Sequence, residues 1–174
     1  MLKKTTVCVY NLDMSIFVQP TAAPTPRTKN VPRVAIIYAV ILVVMAVAQL
    51  FSFDEFLQLV TDFGLPGGVR AGHFFAAIIV TVDVFALPFL LRMPLSPAFR
   101  WVSIVCGWLV SAIWIYIAVW LIVKEGIVAN IGFLGTVVPI VPDFSTLLIG
   151  IAFGILAGWA SWGMWPRKQL PKQG

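Results

Sequence analysis

Few side chains in this sequence could do chemistry, and the most conspicuous is a carboxylic acid inside an apolar stretch. Asp83 lies near the middle of residues 72–92, GHFFAAIIVTVDVFALPFLLR. An acid at the centre of a membrane-spanning helix costs about 2.5–3.5 kcal/mol on insertion scales, so we expect it to face protein rather than lipid. There it could accept a proton or anchor a polar ligand such as a quinone. The structural alternative is a neutral carboxyl, satisfied within the bundle, that holds two helices together.

Three other polar residues are candidates for a pocket around Asp83. Ser111 lies at a similar depth in an antiparallel neighbouring span and is the first choice as a hydrogen-bond partner, with Tyr116 the second. Gln49, near the outer end of the first span, is the third, although an interhelical hydrogen bond is its simpler role. Pro88 has no N–H for the carbonyl of the fourth residue before it, which predicts a kinked and locally polar backbone beside the acid.

His73 is the only histidine and stands at the outer mouth of the second span. It would be either a solvated cap or a group that exchanges protons with Asp83 through water. One histidine makes no bis-histidine haem site, and there is no metal-binding spacing, P-loop, GxGxxG or GxSxG motif. We therefore expect no metal and no evident cofactor except a quinone. Asp83 and His73 remain the only catalytic candidates.

The composition defines the elements that must position these residues. Hydrophobic residues make up 60% of the chain and charged ones 11%, outside the range of soluble domains. A span needs about 20 apolar residues to cross roughly 30 Å of hydrocarbon. We predict an all-α, four-helix transmembrane bundle over residues 34–165, in which the spans are residues 34–53, 73–91, 101–123 and 144–165.

Two of the connections are unusual. Residues 54–71 predict a short helix in the membrane interface, because apolar residues recur at helical spacing while the acids face water. The apolar positions are Phe53, Phe56, Leu57 and Val60, and the acids are Asp54, Glu55 and Asp62. Residues 124–143 are apolar for a loop, so we expect them to dip into the interface or to cover the outer end of the bundle.

The charges predict the orientation. Residues 1–33 have no continuous signal-peptide core and are Pro-rich, so we expect a disordered tail, and residues 166–174 form a basic tail. Ten of the twelve Lys and Arg residues fall on the side of the termini, leaving only Arg70 and Lys124 on the other. The positive-inside rule then puts both termini in the cytoplasm and the protein in the cytoplasmic membrane. The net charge of +5 is thus a topology signal and does not predict nucleic-acid binding.

A row of small residues marks the fourth span. Gly150, Gly154 and Gly158 form GxxxGxxxG and share one helix face, which lets another backbone approach closely. The row predicts packing, either within the bundle or with another subunit, including a second copy of the chain.

The order of these features resembles the DoxX/MauE group of small four-helix membrane proteins. The resemblance rests on LFSFDEFLQLVTDFGLP after the first span and on a mid-helix acid in the second, where Asp83 takes the place usually held by Glu. Residues 130–135, NIGFLG, occupy the place of an NCGCFG-like motif, with Ile131 and Phe133 at its cysteine positions. The resemblance implies a bundle associated with redox partner enzymes, quinone-linked oxidation or maturation of periplasmic redox proteins. The missing cysteine pair argues against thiol–disulfide chemistry.

Three functions follow as hypotheses. The first is a non-catalytic membrane accessory or scaffold subunit that anchors or assists a redox partner enzyme. The second is a quinone-interacting oxidoreductase subunit that uses Asp83. The third is a small solute or proton conduit, which needs a wet path along the second span.

Overall fold

The computed structural model describes residues 20–124 and 128–165 of the 174-residue chain. Within those ranges the protein is all-helical, with five helices and no strand. Four of the helices are long and apolar enough to cross a membrane, as predicted. The predictions for residues 1–19 and for the basic tail at residues 166–174 lie outside the described residues. The helices are α1 Asn30–Phe51, α2 Phe53–Asp62, α3 Gly68–Leu90, α4 Pro97–Val123 and α5 Phe144–Gly163.

Three spans begin earlier than the sequence predicted, because prolines and glycines open helices as well as end them. Pro32 lies in the first turn of α1, where its missing N–H has no helical partner to lose. Pro97, expected in the turn, is the first residue of α4, and the Ser96 side chain caps that helix by accepting from Phe99 N at 3.3 Å. Gly67, with φ 110°, is the N-cap residue that precedes α3.

The four long helices form a ring in which α1 packs on α3, α3 on α4, α4 on α5, and α5 on α1. The core is aromatic and aliphatic, with Tyr38, Leu42, Ile79 and Trp114 almost completely buried. Large apolar side chains cover the outside of the ring instead of polar ones, Ile36, Val47 and Ile155 among them. An apolar exterior around a packed core suits a multi-pass membrane protein.

Residues 20–29, which were predicted from the sequence to belong to the tail, contact one end of the ring, and residues 30–33 begin α1. Thr21 pairs with Leu95, and the Arg100 guanidinium donates to the Thr21 carbonyl at 3.1 Å and to its hydroxyl at 2.8 Å. Arg27 N donates to the Gly163 carbonyl at 3.0 Å. The start of α1 and the end of α5 therefore meet at the same end of the bundle, which we call the termini end.

Residues 128–143 close the opposite end, which we call the loop end. Ile131 and Phe133 point into the bundle and are buried. Asn130 folds the segment by accepting from Gly132 N at 2.9 Å and from Ile140 N at 3.1 Å. Gly135 adopts φ 58°, and a Cβ there would lie 2.8 Å from the Ala48 carbonyl oxygen. Of the two arrangements expected for this loop, the described residues 128–143 show the one that covers an end of the bundle.

The short helix α2 also belongs to the loop end. Asp54, Glu55 and Asp62 are exposed, as predicted. Phe56 and Val60 are completely buried, because α2 lies against α3. The predicted apolar face is therefore covered by protein, and the position of α2 relative to a membrane interface stays a prediction.

We predict that Arg100→Gln releases the segment before α1. The substitution removes the charge-assisted hydrogen bonds to Thr21, and a single bond of this kind is typically worth about 1.5–3 kcal/mol, so exchange of the Thr21 amide should accelerate at least about tenfold. Hydrogen exchange in detergent measures this rate. Arg92→Gln, in the exposed turn before α4, is the matched control. Equal exchange in both variants would show that Arg100 does not hold the segment.

Candidate functional site

Asp83 is buried between helices at the level predicted for it. Its side chain is 0% exposed, on the face of α3 that also carries Ala76, Ile79 and Ala86. These residues are spaced at one or two helical turns, so they form a single stripe. The two alanines keep the neighbouring helices close to the acid, and Ala86 faces α4 at Gly107.

The predicted hydrogen-bond partners of Asp83 lie elsewhere. Ser111 donates to the Gly150 carbonyl at 2.9 Å, because its side of α4 faces α5 rather than α3. Tyr116 is 42% exposed on the outside of the ring and stacks on Trp120 at 6.2 Å. Within residues 20–124 and 128–165, neither carboxyl oxygen of Asp83 has a hydrogen-bond partner. The expected bond between Asp83 and Ser111 is therefore not formed.

Tyr38 of α1 is the polar group that the structure does place near the acid. It is completely buried, and Gly107, which its hydroxyl contacts, faces Ala86, about one turn from Asp83 on α3. That hydroxyl donates to the Gly107 carbonyl at 2.8 Å and so joins α1 to α4. Tyr38 had a signal in the sequence, since it is the one polar residue deep in an otherwise apolar first span.

Ser103 of α4 forms hydrogen bonds with the backbone of α3 beside Pro88. Its hydroxyl accepts from Phe89 N at 3.0 Å and donates to the Phe85 carbonyl at 2.7 Å. It thus bridges the donor and acceptor that an unbroken helix would have paired directly. The predicted local polarity at Pro88 is confirmed, but the residue that satisfies it was missed. The sequence indicated Ser103 only by its position, about one turn before Gly107 on the same face of α4.

The other two predicted residues lie far from the acid along the helix axes. His73 is exposed and precedes Asp83 by ten residues, about 15 Å of helix at 1.5 Å per residue. Gln49 follows Tyr38 by eleven residues, about 16 Å towards the loop end. The Gln49 amide donates to the Phe133 carbonyl at 3.2 Å. The structure therefore does not bring Asp83, Ser111, Tyr116 and Gln49 into one pocket.

An aromatic column runs inside the bundle from Tyr38 to Phe133 of the loop end. The ring centroid of Phe133 lies 4.5 Å from that of Trp114 and 5.8 Å from that of Phe153. The centroids of Phe153 and Tyr38 are 6.2 Å apart. Among the described residues, Trp114 Nε1 and Gln49 Oε1 have no hydrogen-bond partner. The exchange of protons between His73 and Asp83 stays a prediction.

The environment of Asp83 limits its chemistry. A carboxylate buried without a cation or a donor costs several kcal/mol, so the neutral acid is the form that this site accommodates. Over the described parts of the chain, no three His, Cys, Asp or Glu side chains cluster as metal ligands would. The site as built can store a proton, whereas a quinone would need the helices to separate before it reached the carboxyl.

The glycine row is used within the bundle. A Cβ at Gly150 would lie 3.0 Å from the Ile115 side chain, one at Gly154 2.8 Å from Ser111 Oγ, and one at Gly158 3.4 Å from the Trp108 ring. All three contacts are with α4. Of the two roles predicted for this row, the structure shows packing within the bundle.

Comparison with known proteins identifies no relative: no family model, no curated protein and no solved structure matches the chain. The resemblance to DoxX/MauE-like proteins therefore stays a prediction.

We predict that Asp83→Asn is nearly neutral for stability, whereas Tyr38→Phe is not. Asp83 makes no hydrogen bond that asparagine would lose, so the free energy of unfolding should change by less than about 1 kcal/mol. Tyr38→Phe removes the hydroxyl's hydrogen bond to the Gly107 carbonyl, which keeps its backbone partner within α4, and should cost about 1.5 kcal/mol, the upper end for a neutral hydrogen bond, because the site is buried in an apolar interior. Unfolding in mixed detergent micelles compares the two. A larger loss for Asp83→Asn would mean that the carboxyl makes interactions absent from this structure.

We predict that Gly154→Ala destabilises the bundle more than Gly158→Ala. Both changes have the same intrinsic effect on α5, but only the first drives a methyl group into Ser111, which overpacking data put at about 1–3 kcal/mol. The same unfolding measurement applies, and Ser111→Ala should restore part of the loss. Equal effects of the two alanines would place the close contact elsewhere.

Proposed function

We propose that this protein is a non-catalytic integral membrane accessory subunit, DoxX/MauE-like, that anchors or assists a redox partner enzyme. One observation carries the proposal: the buried hydroxyls of Tyr38, Ser103 and Ser111 join helices to one another instead of converging on a cavity. Polar groups arranged in this way support a scaffold. A catalytic site would need them to share a space that a substrate can enter.

The charges support an orientation with both termini in the cytoplasm. Among the described residues, the termini end carries Arg27, Lys29, Arg33, Arg92 and Arg100, whereas the loop end carries only Arg70 and Lys124 as basic residues. Such an asymmetry is what the positive-inside rule associates with a cytoplasmic termini end. On this proposal the aromatic column and residues 128–143 face the outside of the cytoplasmic membrane.

We expect gentle detergent extraction to recover this chain with a stable companion in fixed stoichiometry. The companion should carry a redox cofactor, so the purified complex should show a haem or flavin absorption spectrum. Asp83→Asn should leave the stoichiometry unchanged, because a scaffold does not need the carboxyl. Mass spectrometry of the extract measures the composition. Recovery of the chain alone, after mild cross-linking in the native membrane, would contradict the proposal.

A second candidate function is favoured by the two unpartnered oxygens of Asp83. Either a quinone-interacting oxidoreductase subunit or a proton conduit would use such a group to hold a proton. In the first case Asp83→Asn lowers quinone-dependent turnover of the complex while the amount of folded protein stays constant. In the second, proton flux into liposomes falls in the same variant. Turnover and flux that are both insensitive to Asp83→Asn would favour the scaffold.

A further inference from the structure

A groove runs along the outside of the bundle between α4 and α5. Its volume is about 820 Å³, and apolar side chains make up most of its walls, including Ile115, Ile155, Trp159 and Trp162. On α5 it extends from Ile151 to Trp162, eleven residues or about 16 Å of helix. That length matches one half of a hydrocarbon core about 30 Å thick.

The floor of the groove is too tightly packed for another helix to use. Gly154 and Gly158 lie in it, but α4 already occupies their faces through Ser111 and Trp108. A partner helix seated by small residues needs such faces to be free, because close backbone approach is the source of its packing energy. A slimmer, flexible occupant fits the groove better.

A cation stands at the end of the groove nearest the termini end. The Arg27 guanidinium lies over the Trp162 ring, 4.6 Å from its centroid, and its side chain is exposed. The hydrogen bond from Arg27 N to the Gly163 carbonyl fixes the backbone there, at 3.0 Å. A guanidinium just beyond the last turn of a membrane-spanning helix lies at the depth of lipid headgroups, where it attracts anions.

We propose that this groove binds an anionic phospholipid, with one acyl chain between α4 and α5 and its phosphate on Arg27. An acyl chain is slim and flexible enough to fill a groove that is half a bilayer long. It supplies little selectivity, because the surrounding lipid tails are equally apolar. Selectivity comes from Arg27, and a single basic residue near the membrane surface favours an anionic lipid by about fivefold.

Native mass spectrometry of the full chain, freed of lipid in detergent, tests this proposal. Phosphatidylglycerol and phosphatidylcholine with identical acyl chains are added in turn, and the fraction of lipid-bound protein is measured. We expect about fivefold more phosphatidylglycerol to be retained. Arg27→Gln should abolish this preference, whereas Arg33→Gln, which removes an exposed arginine of α1 outside the groove, should leave it intact.

A second variant tests the groove independently of the charge. Ala112 lines the groove and is exposed, so Ala112→Phe fills the space without disturbing the core. It should reduce retention of both lipids. The proposal is overturned if the native chain retains the two lipids equally, if Arg27→Gln keeps the preference, or if Ala112→Phe binds lipid normally. It is also overturned if Ala112→Phe separates a dimer or releases a protein companion, since the groove would then be a protein interface.

Discussion

Polar groups inside an apolar medium must find partners within the protein, and α4 provides most of those partners here. Tyr38 of α1 donates to Gly107, Ser103 pairs with the broken backbone of α3, and Ser111 donates to Gly150 of α5. Each bond joins α4 to a different helix. Without a hydrophobic driving force between helices in lipid, such bonds and close packing determine how the bundle assembles. The other three long helices are therefore each hydrogen-bonded to α4.

Asp83 departs from this arrangement with both of its oxygens, and it is therefore the interior residue to test for function. It lies at the level where α1, α3 and α4 meet, yet it shares none of their hydrogen bonds within the described chain. A buried group left unsatisfied costs stability, and a protein that needed only packing would do as well with an apolar residue there. A neutral carboxyl at this level is compatible with the scaffold, and it is also the group through which a redox or proton-handling role could act.

The number and order of the spans could be predicted from the sequence, because an apolar run of about 20 residues has the length that a helix needs to cross a bilayer. The predicted ends of the helices were less accurate, since Pro32 and Pro97 lie in the first turns of helices rather than in loops. The neighbours of Asp83 were the least predictable. Ser111 and Ser103 are both serines of α4, separated by about two turns, and only the rotation of α4 against α3 and α5 decides which of them faces the acid's helix. Periodicity within one helix carries no information on that rotation.

Asp83 is sealed inside a bundle whose polar groups serve packing, so we expect its carboxyl to be neutral. Infrared difference spectroscopy of the native chain against Asp83→Asn, at neutral pH and in deuterated buffer, tests this most directly. We expect the native chain to show the C=O stretch of one protonated carboxylic acid, absent from the variant and slow to respond to deuterium. A carboxylate band in its place, or an immediate deuterium shift, would contradict the sealed neutral acid, since Asp83 would then be ionised or open to water.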